Sequence, residues 1–274
     1  MHSTLIDSRF LGSLFSTPEM KQVFSDTGTL TRYTETEVAL ALAEGKLGLI
    51  PDEVAKTIAE RAPHIALDMD RLERETHNVG YPILPLVHQL AEGLGEAGKF
   101  LHWGATTQDI MDTALVLQIR AGLDLVEADL RGVAAQLRRL SARYRDTPMA
   151  GRTHLQHALP VTFGLKTVIW LGMVERNLER LQQLRPRVLV GQFAGAGGTL
   201  ASLGQRGLDV QVAMMAELKL GVPETTWHTA RDGLAETAQW LGLVTTCLAK
   251  MALDVSLMMA NEFGEVFEPF VQGR

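Results

Sequence analysis

From Thr107 to Tyr144 the chain contains no proline. Ile110, Ala114, Leu117 and Ala121, then Val126, Leu130, Val133, Leu137, Leu140 and Tyr144, keep the three-and-four spacing of one helix face. At 1.5 Å per residue such a helix is about 55 Å long, more than an ordinary compact domain is wide. A rod of that length needs neighbours along its side to cover its apolar stripe. Two are at hand. One follows Pro160 through Phe163, Val168, Leu171, Val174, Leu178 and Leu181 to Arg185-Pro186, where the proline is expected to stop it. The other starts near Asp232, a cap or first-turn residue, and repeats Leu234, Ala238, Leu241, Thr245, Leu248, Ala252, Val255 and Met259. Between the first two rods, residues 151–160 are expected to form a turn. The expected fold is all-α: a central helical bundle over 105–274, holding three antiparallel rods, after a smaller helical N-terminal domain over 1–104. In that first domain Pro51, Pro63, Pro82 and Pro85 break the helices into shorter pieces.

Composition narrows the function. With 26 basic against 32 acidic side chains the net charge is −6, so a phosphate-neutralising nucleic-acid surface is not expected and the partner should be a small molecule. Cys247 is the only cysteine, which excludes a disulfide framework or a CxxC site and favours a reducing, cytoplasmic compartment. The first twenty residues lack a basic start followed by an apolar run, so no secretory signal is expected. The most apolar stretch, from Leu241 to Ala260, carries Lys250 and Asp254 near its middle. It reads as a buried helix of a soluble protein, and no membrane partner is expected.

Polar residues crowd where the helical pattern breaks. His102-Trp103-Gly104-Ala105-Thr106-Thr107-Gln108-Asp109 enters the first rod. Its hydroxyls and the free N–H groups of a helix start can hold a carboxylate, or Thr106 or Thr107 can simply cap the helix. Arg152-Thr153-His154-Leu155-Gln156-His157 offers a cation, a hydroxyl, an amide and two imidazoles, the side chains suited to proton transfer near neutrality. With no cysteine nearby and no third ligand at a fitting spacing, a metal at His154 and His157 is not expected. Gly191 to Leu200 suggests a dinucleotide loop, but GAGGTL lacks the third glycine of GxGxxG, so no cofactor is expected there. Its glycines instead suit close approach to a ligand or a helix. Trp227-His228-Thr229-Ala230-Arg231-Asp232 opens the last rod, where Arg231 can pair with a carboxylate or sit as a surface cation.

Together, HWGATTQDIMDTA, GRTHLQHALPVTFGLK, GAGGTLASLG and WHTARD, in that order, resemble the fumarase/aspartase superfamily, within it the branch of 3-carboxy-cis,cis-muconate cycloisomerases and adenylosuccinate lyases. The resemblance covers essentially the whole chain. It implies a helical subunit that forms a homotetramer with active sites shared between subunits, acting without metal or organic cofactor on a di- or tricarboxylate. It also implies roles. Thr106, Thr107 and Gln108 would bind a substrate carboxylate, His154 would be a general acid, Thr153 and Gln156 would orient the substrate, and His102 and Arg231 would share the cleft. The expected reaction is closure of 3-carboxy-cis,cis-muconate, or a 3-substituted analogue, to a carboxymuconolactone in aromatic-acid catabolism through the protocatechuate (β-ketoadipate) pathway. The alternative is a lyase of the adenylosuccinate type releasing fumarate by β-elimination. His77-Asn78 and Arg231-Asp232-Gly233 stand where adenylosuccinate lyases tend to have His-Asp and Arg-Asp-Arg, which weighs against a nucleotide phosphate. A non-enzymatic, structural relative is the third possibility. Family members also carry a serine loop of the form GSSxMPxKxNP after the segment matching Gly264 to Pro269, and two further bundle helices. The chain is therefore expected to be part of a longer polypeptide, with three of five long helices.

Overall fold

A computed structural model describes residues 4–272. Helices dominate: α1 (Pro18–Phe24), α2 (Asp26–Lys46), α3 (Asp52–Arg61), α4 (Met69–Val79), α5 (Ile83–Leu94), α6 (Thr107–Arg143), α7 (Phe163–Val188), α8 (Gly207–Leu218) and α9 (Asp232–Met258). Starts follow local chemistry. The hydroxyls of Thr17 and Ser25 and the carboxylate of Asp68 accept from the first turns of α1, α2 and α4. The chain packs as two compact units. Unit 1 joins the chain up to Leu125 with Pro186–Gly233, and unit 2 joins Val126–Arg185 with the chain from Leu234 onward. Both α6 and α7 run through a boundary between the units.

Unit 1 is built around α2. One side of it, with Tyr33 and Ala41, packs among Ala55, Ile58, Leu86, Leu90 and Ile110. Its other side, with Ala39, Leu40 and Ala43, meets Leu117, Phe193, Met214 and Met215. Burial of this many aliphatic side chains, each contributing roughly 1.5–3 kcal/mol, fixes α2 between α5, α6 and α8. Within that core lie two fully buried carboxyls, Glu37 and Glu44.

In unit 2 the helices pair antiparallel, as the rods require. Glu127 meets Gln182 and Arg185 while Arg138 meets Glu175, so α6 and α7 run in opposite senses. The Trp240 indole donates to the Asn177 carbonyl and the Trp170 indole to Asp254, which sets α7 against α9 in the same manner.

Three expectations need correction. Residues 151–160 are not a simple turn but lie within an antiparallel hairpin of β1 (Pro148–Thr153) and β2 (Gln156–Thr162), closed by His154 and Leu155. No residue of either strand is buried, β1 being mostly half-buried and β2 mostly exposed, so no apolar alternation marks them in the sequence. Pro186 does not end α7, which continues to Val188. So near the end of a helix a proline removes only one hydrogen bond. Finally, α9 is not buried within this chain. Only Thr237, Trp240, Val244 and Met258 are buried, while Leu241, Leu243, Leu248, Leu253 and Leu257 stand exposed. By length and composition α9 is also apolar enough to cross a membrane, with mean hydropathy 1.5.

Candidate active site

The start of α6 is organised by Asp109. From the third helical position its Oδ2 accepts from the Thr106 N–H at 3.0 Å, half of a capping box. A carboxylate thus holds the Thr106 N–H, and the Thr106 and Thr107 hydroxyls make no hydrogen bond among the described residues. Both threonines are partly exposed. The Asp109 N–H already donates to the Thr106 carbonyl at 2.9 Å, whereas the Thr107 and Gln108 N–H groups precede the first intrahelical bond, so two hydroxyls lie at an electropositive helix end.

Asp109 also ties down the glycine-rich loop. Its two oxygens accept from the Ala194 and Gly195 N–H groups, each at 2.9 Å, and its Oδ1 lies 2.7 Å from His228 Nε2. Gly195 has φ +73°, a conformation open to glycine at little cost. At Gly191 a β-carbon would sit 2.1 Å from the Met215 sulfur, so glycine there admits α8, as expected of a close helix approach. Gln192, fully buried, exchanges hydrogen bonds with Thr113 through its backbone. Its side chain accepts from the Trp227 N–H at 2.8 Å and donates to Thr226 Oγ1 at 3.1 Å. Residues 191–195 and 226–228 are therefore held to α6 by buried polar bonds, which lose their value together if any partner is removed.

His102, at φ +62°, directs Nδ1 to Glu37 Oε1 at 2.6 Å. Burial alone would lower its pKa, but the Glu37 charge and hydrogen bond, with a contribution from Asp109, raise it above the ordinary imidazole value. Gln108 Nε2 and Arg231 Nη1 converge on Asp112 Oδ1 at 2.8 and 2.7 Å, and the Arg231 guanidinium lies 5.6 Å from the Trp227 ring centre. Arg231 is half-exposed, so it can still turn one face of its fork to a ligand.

Five of the expected site residues, His102, Thr106, Thr107, Gln108 and Arg231, therefore belong to unit 1. Thr153, His154 and Gln156 belong to unit 2 and are exposed on the hairpin. His154 and Leu155 both have positive φ, 51° and 61°, the signature of a type I′ turn occupied by residues that adopt it at a cost. His154 borders a cavity of about 250 Å³ with Arg152, Lys166, Asp254 and Phe263. Arg152 makes a two-pronged pair with Glu265, both contacts at 2.8 Å, and its guanidinium stacks 4.4 Å from the Phe263 ring. Sequence reasoning did not single out Glu37, Asp112, Gln192 or Thr226, or assign roles to Asp109 and His228. For Asp109 the signal was present in its spacing from Thr106; for Glu37, inside a helix rich in glutamate, there was none.

A family profile described as "Lyase" matches residues 15–274. The chain is 42% identical over 274 residues to an N-acetyl-S-(2-succino)cysteine lyase of Dickeya dadantii, covering all of this chain and 60% of that protein. Among solved structures it is similar to a fumarate lyase from Mesorhizobium sp. BNC1, with 57% identity, TM-score 0.91, and 93% and 60% of the two chains covered. A 3-carboxy-cis,cis-muconate lactonizing enzyme from Pseudomonas putida matches with 44% identity, TM-score 0.92, and 96% and 61% covered. The chain spans about three fifths of the length of these relatives.

Proposed function

This chain belongs to the lyase family of the fumarase/aspartase superfamily, and from that premise we propose that it carries the carboxylate-binding part of a cycloisomerase acting on 3-carboxy-cis,cis-muconate or a 3-substituted analogue. In this reaction a carboxylate oxygen of the substrate adds to the conjugated double bond. A C–O bond forms, the π electrons move toward a second carboxylate as an enediolate, and a proton is delivered to the carbon beside it. As free acids the substrate and its product, a carboxymuconolactone, are isomers; as ions, the tricarboxylate takes up the one proton delivered to carbon, which the acid regains from water, and becomes a dicarboxylate lactone. The observation that carries the reading is the α6 start, where Asp109 takes the Thr106 N–H and leaves the Thr106 and Thr107 hydroxyls and the Thr107 and Gln108 N–H groups for an anion. There, with Gln108, they would hold the carboxylate on which negative charge grows, and His102 and Arg231 would add cationic donors. His154 would deliver the proton, with Thr153 and Gln156 orienting the substrate. Such a protein would be cytoplasmic, would need no cofactor, nucleic acid or membrane, and would work in aromatic-acid catabolism as a homotetramer with shared sites.

A second reading is favoured by the succinocysteine lyase relative: β-elimination from a succinyl-bearing amine or thioether, releasing fumarate. One assay separates them. Incubated with 3-carboxy-cis,cis-muconate, the protein should deplete the conjugated diene and yield lactone signals by proton NMR, whereas fumarate formed from adenylosuccinate or N-acetyl-S-(2-succino)cysteine would replace the first reading by the second.

A further inference from the structure

Glu37 has no exposed surface, yet the only hydrogen bond to its carboxylate comes from His102, and its Oε2 has no partner among the described residues. Holding a buried carboxylate on one contact is unfavourable, and a well-packed apolar residue would serve stability at least as well. The residue it contacts is itself strained, since a non-glycine residue at φ +62° sits in the sparsely populated left-handed region. Two separate penalties thus meet at one hydrogen bond on the approach to α6.

We propose that Glu37 is a positioning residue for His102: it fixes Nδ1 as the buried donor and so presents Nε2–H beside the start of α6, as a charged donor to an anionic substrate group. The proposal rests on the reading of His102 as a site residue. With Nδ1 anchored at 2.6 Å, only Nε2 remains to face the cleft, and the ring cannot flip without losing the bond. The charged groups around the ring come from two helices. Glu37 lies on α2, with Glu44 two turns further along the same helix, and Asp109 lies on α6. Asp109 is occupied by three backbone N–H groups and His228, which leaves Glu37 as the direct partner.

The test is nitrogen-15 NMR of histidine-labelled protein, with His102→Asn to assign the resonance. Glu37→Gln should lower the proton affinity of the His102 ring at least tenfold, seen as a shift of its titration midpoint to lower pH, and erase the Nδ1–H signature of the wild type. Glu37→Asp, which keeps the charge one methylene short, should fall between; should the glutamine variant not fold, the aspartate variant is read by the same criterion. An unchanged midpoint and ring signature in either folded variant would overturn the assignment. Because this readout needs no turnover, a wild type inactive on muconates but showing the Glu37-dependent shift would sink the substrate reading alone.

Discussion

Asp109 serves as helix cap, loop anchor and histidine partner at once, with no exposed surface. Asp109→Asn turns one acceptor oxygen into a donor facing other donors, and should cost about 3 kcal/mol of unfolding free energy in urea melts; a loss below about 1 kcal/mol would show that the loop is held some other way. Glu44 poses a different problem, being buried with neither oxygen partnered among the described residues. Burial, and then the neighbouring Glu37 charge, push its pKa from an ordinary 4.5 up to about 8. The unfolded chain releases this proton near pH 4.5 and the folded chain keeps it to about 8. The folded state therefore binds more protons between those values, and stability falls as pH rises through that window, by roughly 3 kcal/mol at pH 7. Glu44→Met should remove that part of the slope, so its melting curves at pH 5 and pH 8 should lie much closer together than those of the wild type, separated mainly by the smaller fall that the raised His102 pKa imposes. Parallel decline of variant and wild type would place the pH dependence elsewhere.

The long helices were legible because a single period of three and four persists over them, and α6 begins at Thr107 as that pattern indicates. The hairpin was hidden for the opposite reason. Its strands bury neither face, and its turn residues, His154 and Leu155, carry none of the Asn-Gly chemistry that marks a type I′ loop. Of the candidate site, the hydroxyl pair and the histidines were readable as residue types out of place in a helical pattern. Their partners were not, since a core glutamate such as Glu37 looks in sequence like any solvated helix position. The hairpin turn makes its own prediction. Leu155→Gly relieves a left-handed backbone at an exposed side chain and should raise stability by about 1 kcal/mol, measured as a higher thermal midpoint. A lower midpoint would mean that the Leu155 side chain contributes packing which outweighs its strain.

At the scale of the whole molecule, the apolar face of α9 sets the terms. Leu253 and Leu257, 60% and 40% exposed, lie one turn apart, and a continuous patch of this kind marks an association surface. On the reading that further copies cover it, Leu253→Glu with Leu257→Glu should reduce the mass seen by light scattering. Recovery of the wild-type protein with floated lipid vesicles, rather than as a defined oligomer, would instead assign α9 to a bilayer. If copies do cover α9, mass action governs its endurance: the thermal midpoint should climb with protein concentration, and simple dilution would act on this chain as a mild denaturant.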